Sequence, residues 1–313
     1  MSDEKVVVAV DAMGGDDAPG VVLDGVAQAL ASDPALEIVL CGPADVVEPF
    51  AAAHERCTPQ ACSEVIAMAE HPANAVRKKK DSSIVVGCRL VKEGAAQGFF
   101  SAGSTGACLA AGTLVMGRIK GAARPALATV IPSPVRPVVM CDIGANADCK
   151  PEYLVQFGQM ASIYAEKVIG IEHPRAALLN IGEEETKGNT QSKATYELLK
   201  ADDRIDFVGN VEASYLFTGK VADVVVCDGF VGNTVLKMAE GLYHINKKLG
   251  GGNAFWDAMN YENVGGTPVL GVNAPVVIGH GISSPKAIRS MILSAERCIT
   301  ADLTAKLQRA FKN

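Results

Sequence analysis

Aromatic side chains are scarce: Phe, Trp and Tyr make up 5% of the 313 residues, with a single Trp. The 31 glycines and abundant alanine suit close helix-on-sheet packing and tight phosphate-binding turns better than a β-sandwich. A basic surplus is also missing, since 29 Lys and Arg face 35 Asp and Glu for a net charge of -6. General nucleic-acid binding needs a broad basic face and is thereby disfavoured; an anionic partner must meet a local patch. No Cys-x-x-Cys spacing occurs among the 9 cysteines. Their odd number, and positions inside apolar runs such as VVVCDGF, read as buried thiols in a reducing cytoplasm. Long hydrophobic runs are absent: the longest uncharged apolar stretch, Ala107 to Gly117, is too short to span a bilayer. The charged start MSDEK leads straight into a strand-like run, so no secretory leader is expected. With 49% hydrophobic residues, a disordered chain is excluded.

What is present is an alternation of short β-rich runs and longer helical patterns. Strands are expected at 5–10, 37–41, 98–101, 126–131, 137–141, 176–180, 205–208, 223–227 and 275–279. KVVVAV is apolar on both faces, as an inner parallel strand should be. Val21 to Ala31 reads as a helix. Tyr153, Phe157, Met160, Tyr164 and Val168 form one helical stripe; Ile288, Ile292, Ala295, Ile299, Leu303 and Leu307 form another. The β-α order predicts an α/β fold of three layers, a mostly parallel sheet between helices. One catalytic unit, or two lobes of it, is expected over 1–313. The Gly- and Asn-rich stretch at about 241–266 reads as a short irregular excursion, and PSPVRP (132–137) as a stiff loop between two strands.

Ligands of parallel sheets bind beyond the carboxyl ends of the strands. Five strand ends here run into loops that combine Gly with Asp, Asn, Ser, Thr or Lys: DAMGGDDAP (11–19), SAGSTGA (101–107), DIGANADCK (142–150), NIGEEETKGN (180–189) and DGFVGNT (228–234). Glycine lets backbone N–H groups approach a ligand, and a following helix N-terminus favours an anion. Each loop alone reads as a capped strand-to-helix turn; five together read as a site. No GxGxxG follows the first strand, and GxxxxGK[ST], HExxH and GxSxG are absent. Nucleotide, metal and serine-hydrolase signatures are therefore missing, and no cofactor or metal is expected. Of the 5 histidines only His280, between two glycines in VVIGHGISS, has a place near a strand end.

These loops, with RKKKDSS (77–83), RPALATV (124–130), DIGANADCKPEYLVQF (142–157) and GGTPVLG (265–271), follow the order seen in the bacterial phosphate acyltransferases, which the chain resembles over nearly its whole length. The resemblance implies transfer of a fatty acyl group from acyl carrier protein to inorganic phosphate, giving acyl phosphate for phospholipid synthesis. It further implies a fold like the phosphate acetyltransferases and the isocitrate and isopropylmalate dehydrogenases, and a cytoplasmic homodimer, with peripheral contact to the inner membrane in some members. Such a reaction needs a cradle for the phosphate and donors for the oxyanion. On this reading Lys187, Asn180 and Asn233 are the catalytic candidates. Asp11, Gly14, Gly15, Ser101, Ser104, Thr105, Asp142, Asn146, Asn189 and His280 are substrate-binding candidates. The GEEET acids are expected to pair with Lys187 or Lys193. Arg77, Lys78, Lys79 and Lys80 are the candidate patch for an acidic carrier protein, with Arg118, Lys120 and Arg124 next.

The chain departs from the family pattern in three places. Ser104 stands where members commonly have Asn; Ile278-Gly279 precede His280 where Lys-Ala is usual; and the apolar helical pair before GGTPVLG is shortened, which weakens the expectation of membrane docking. Three alternatives remain open: transfer of a shorter acyl group from coenzyme A, a non-catalytic acyl- or phosphate-binding protein, and a dehydrogenase of the same fold, which would need a nucleotide loop and an Asp cluster that the sequence lacks.

Overall fold

The computed structural model describes residues 5–259 and 265–312. The chain divides into two compact units, Met1–Lys120 with Gly265–Asn313, and Gly121–Val264.

In the first unit the strands stand in the order β3-β2-β1-β4-β11-β10, with β1 (Val6–Asp11), β2 (Leu36–Gly42), β3 (Cys57–Ala61), β4 (Gly98–Ser101), β10 (Thr267–Leu270) and β11 (Val276–Ile278). All neighbouring pairs are parallel except β10 with β11. The continuous apolar run of β1 explains its central place: Val8 and Val10 are fully buried between helices on both faces. Helix α1 (Gly20–Ser32), α2 (Ala44–Ala52), α3 (Pro72–Lys78), α4 (Ser83–Lys92) and α5 (Thr105–Ala111) follow their strands. The core closes around Phe99, Phe100, Ile38, Leu40 and Ile84.

The second unit orders its strands β5-β6-β9-β7-β8: β5 (Ala126–Ile131), β6 (Val138–Cys141), β7 (Arg175–Asn180), β8 (Asp206–Glu212) and β9 (Val224–Val226). Only β5 and β6 are antiparallel, joined by the PSPVRP loop as expected. Helices α6 (Pro151–Tyr164), α7 (Thr190–Ala201), α8 (Gly229–Lys248) and α9 (Ala254–Ala258) complete this unit. Helix α6 packs on β6, β7 and β9, and Leu154, Phe157 and Met160 of the helix are buried, as are Met140, Leu178 and Val226 of those strands. The stripe that begins at Tyr153 continues through a π-turn, Ala165–Ile169. In the first unit α10 (Pro285–Thr300) and α11 (Leu303–Ala310) divide the second stripe, which breaks at Asp302 in a left-handed conformation.

Two expectations need correction. β3 and β10 escape the sequence pattern because each is short and holds a proline, Pro59 and Pro268. The stretch at about 241–266 is not irregular throughout: α8 runs on to Lys248 and Ala254–Ala258 forms α9, while residues 260–264 lie outside the described residues. Among the described residues no helix is long and apolar enough to cross a membrane, and no group of three or more His, Cys, Asp or Glu is placed to hold a metal.

Candidate functional site

The carboxyl ends of β9, β7 and β8 open onto a cavity of about 400 Å³ in the second unit. Leu154 and Leu178 lie buried at its base, with Leu179 and Val235 beside them and Ile181 and Val231 at the surface. Its polar atoms come from Asn180, Asn189, Gln191, Ser192 and Asp228. Two helices start here. Asn189 caps α7 by accepting the Ser192 N–H at 2.8 Å, and Asp228 caps α8 by accepting the Val231 N–H at 2.8 Å. Both caps use the short polar residues that the sequence places after a strand.

Asn180 closes the NIGEEETKGN loop. Its amide donates to the Lys187 carbonyl at 3.3 Å, and its Oδ1 accepts the Ile181 N–H at 2.8 Å. Gly188 sits at φ +96°, and a Cβ there would lie 2.1 Å from the Ser192 hydroxyl, so glycine is required for the loop to turn into α7. Lys187 projects from this loop with 48% of its side chain exposed, its ammonium 3.9 Å from the Glu184 carboxylate. The other loop acid with a partner is Glu185, which accepts from the Tyr196 hydroxyl and the Lys200 ammonium, both at 3.0 Å. These bonds hold its carboxyl below the usual range. Of the two expected partners of these acids, Lys187 is the one that pairs, with Glu184, while Glu185 takes Lys200, which the sequence did not single out.

Asp142 and Asn146 are spent on each other. The buried Asp142 carboxylate accepts the N–H groups of Leu127, Gly144 and Ala145 on one oxygen, and the N–H and amide of Asn146 on the other, at 2.8–3.1 Å. A carboxylate offers about four lone-pair directions, so this one has none left for a ligand. Burial still raises its pKa, against those bonds. The Asn146 amide also donates to the Pro125 carbonyl at 2.8 Å. The start of α8 packs directly on this turn: a Cβ on Gly232 would stand 1.9 Å from the Asp142 carbonyl. Asn233 is exposed, and its side chain lies over Gly144, 3.6 Å from where a Cβ would be. Asp228, Val231 and Val235 share the pocket face of α8, whereas residue 233 is turned about 200° from 231. Asn180 and Asn189 therefore line the pocket, while Asn233 and Asn146 belong to the Asp142 turn.

In the first unit Asp11, at the end of β1, is buried and accepts from the Ser101 hydroxyl at 2.7 Å and the Met13 N–H at 3.0 Å. Burial raises its pKa; the bonds from Ser83, Ser101 and Met13 oppose this. Ser101 in turn accepts the Gly103 N–H at 2.9 Å. Gly14 lies against the backbone of 102–103, and Gly15 adopts φ +116° beside Gly281. The Ser104 hydroxyl caps α5 at 3.4 Å, with Thr105 exposed as the first helical residue. The carbonyl of half-buried His280 accepts from Ser283. These contacts set the course of the loops 11–15, 101–105 and 280–283 in this unit.

The basic run is not uniform. Arg77, Lys78 and Lys80 are exposed, but Lys79 is latched to Glu70 at 2.6 Å and to the Val65 carbonyl at 2.7 Å. Sequence reasoning missed Gln191, Ser192, Asp228 and the apolar pocket walls. Asp228 was visible inside CDGFVGN as a helix cap, whereas the leucines and valines look like ordinary core.

The family model described as "Fatty acid synthesis protein" matches residues 6–254. A protein named phosphate acyltransferase from Heliobacterium modesticaldum is 46% identical over 325 residues, covering 96% of each chain. Another of that name, from Desulfitobacterium hafniense, is 45% identical over 324 residues with the same coverage. Among solved structures, a phosphotransacetylase from Streptococcus pyogenes superimposes with a TM-score of 0.64 at 18% identity, covering 93% of this chain and 94% of that one. A 4-hydroxythreonine-4-phosphate dehydrogenase from Klebsiella pneumoniae reaches 0.56 at 14% identity, covering 95% of this chain and 100% of its own. At that identity the structural likeness establishes the fold.

Proposed function

Because the chain belongs to the phosphate acyltransferase family of fatty acid and phospholipid synthesis, and is an acyltransferase, we propose that it moves a fatty acyl group from acyl carrier protein to inorganic phosphate. In the balanced step an oxygen of hydrogen phosphate bonds to the thioester carbonyl carbon and the carbon–sulfur bond breaks. The phosphate proton leaves with the sulfur, giving acyl phosphate and the carrier thiol. The observation that carries this reading is a pocket at three strand ends, rimmed by Asn180, Asn189 and Ser192, next to the loop that bears Lys187. A Glu184 contact of 3.9 Å is too long to engage the Lys187 ammonium fully, which leaves donors for a phosphate dianion. Asn180 steers that loop and, with Asn189 on the same pocket rim, offers an amide to the carbonyl oxygen as it gains charge, whereas Asn233, over the Asp142 turn, is left out of this role.

Direct attack by phosphate is supported by the state of the pocket's cysteine. Burial, then the Asp142 and Asp228 carboxylates, push the Cys227 thiol well above its usual pKa. It also donates to the Asp142 carbonyl at 3.3 Å, so it is a poor nucleophile. The exposed Arg77, Lys78 and Lys80 suit the acidic carrier. A homodimer is supported by α8, where beyond the pocket Met238, Leu242, Ile245 and Leu249 recur at the three- and four-residue steps of a helix–helix seam, and all four are exposed. Nine free cysteines fit a cytoplasmic setting.

The test compares acyl-acyl carrier protein with acyl-coenzyme A as donors and follows the intact mass of the enzyme during turnover. The proposal expects preference for the carrier protein and no acylated enzyme. Equal or better use of short acyl-coenzyme A would replace the donor, and a stable acyl adduct on the chain would overturn direct transfer.

A further inference from the structure

The pocket of the second unit has more apolar wall than a phosphate group can use. Leu154, Leu178, Leu179, Val235, Val231 and Ile181 lead from its base to its mouth without a hydrogen-bonding side chain among them. A hydrated dianion placed on that surface would lose water and gain no partner. Most of the polar side chains gather where the β7–α7 loop meets the first turn of α7, at Asn180, Asn189, Gln191 and Ser192, while Asp228 stands apart at the start of α8 with its carboxylate turned onto the Val231 N–H. The ligand that matches both regions has a polar head and an aliphatic body. The cavity, of about 400 Å³, is also open to solvent at Ile181 and Val231. That is more room than an acetyl group needs, and a longer aliphatic chain can leave through the open mouth.

Resting on the acyltransferase reading above, we propose that this pocket seats the part of the acyl chain nearest the thioester, and that Val235 sets the chain length it accepts. Val235 lies one helical turn beyond Val231 on the pocket face of α8, so a change in its bulk is felt inside the cavity. It is half-buried on a helix surface and not enclosed in the core, so enlarging it does not overpack the sheet. Exposed Ile181 and Val231 continue the apolar surface outward, where the rest of a longer chain can lie.

The experiment uses the full-length protein and its Val235→Phe and Val235→Ala variants, each checked for an unchanged thermal transition. Acyl phosphate formation is measured from carrier protein loaded with octanoyl, dodecanoyl and hexadecanoyl chains. Binding of free octanoate, dodecanoate and inorganic phosphate is measured by titration calorimetry. Val235→Phe should lower kcat/KM for hexadecanoyl about tenfold or more while leaving octanoyl within about twofold. It should also weaken dodecanoate and leave phosphate binding unchanged; Val235→Ala should raise the relative rate of the longest chain. Identical chain-length profiles and dodecanoate affinities in all three proteins would overturn the pocket assignment. If the wild-type protein forms no acyl phosphate from any donor, yet dodecanoate binding falls in Val235→Phe, the reaction is wrong and the pocket stands.

Discussion

Lys187 and Asp142 are both charged residues in glycine-containing loops after strands, and the structure gives them opposite surroundings. Asp142 is enclosed by N–H donors, which makes it the post around which residues 142–146 turn. Lys187 is half-exposed with one long contact. The sequence shows that such residues sit at strand ends, because Gly, Asp and Asn mark turns by their own backbone chemistry. It does not show which side chains turn inward to satisfy the backbone, since that depends on partners such as Leu127, fifteen residues away. Replacing Lys187 with Ala is expected to cut phosphate-dependent turnover by about 100-fold or more, with the thermal transition unchanged. Turnover kinetics and a melt on the same sample check this; near-normal turnover would remove Lys187 from the chemistry. Glu296 offers a test of stability. It is buried on α10 with its carboxyl pushed up to about 7 by desolvation and by Asp33. The folded state therefore binds its proton more tightly than the unfolded chain does, and this contribution is lost as pH rises from about 4.5 to about 7. Glu296→Gln should leave stability near pH 4.5 little changed and raise it at pH 8 by on the order of 2 kcal/mol, read from denaturant melts at the two pH values. A variant less stable than wild type at pH 8 would contradict the sign.

Elements with strong periodicity were legible to within a residue or two. β4 and β5 fall where the apolar runs place them, and α6 follows its stripe. β3 and β10 were hidden by their prolines and brevity. Helix α8 was cut short in the sequence reading because Gly241 and a run of Asn and Lys interrupt its polar face. Its exposed apolar seam persists beyond them, from Met238 to Leu249. If that seam joins two copies of the chain, Met238→Glu combined with Ile245→Glu should convert the dimer to monomer in sedimentation velocity while helical content is kept. A wild-type protein that already sediments as a monomer would refute the seam. The pocket, by contrast, could not be read from any one element, since α6, β7, α7 and α8 each give it between one and three residues.

For the whole molecule, the parallel α/β architecture follows from the alternation of strands and helices, and the family is carried by long motifs whose composition is unusual. The division into two compact units was less visible, because no low-complexity linker marks Lys120 or Val264. With a net charge of -6, association with an acidic carrier must depend on local cations. Reversing Arg77, Lys78 and Lys80 to Glu, with Lys79 kept because it latches Glu70, should weaken carrier binding about tenfold at low salt and flatten its ionic-strength dependence. Surface plasmon resonance over a salt series checks this, and unchanged affinity would take the patch out of the reaction.

The account rests most directly on the acceptor. Thiol release from a long-chain acyl-acyl carrier protein, measured with and without inorganic phosphate and with mass detection of the product, tests it in one assay. Release that requires phosphate, with acyl phosphate formed in equal amount, is the predicted result. Thiol release at the same rate without phosphate, yielding free fatty acid, would contradict it.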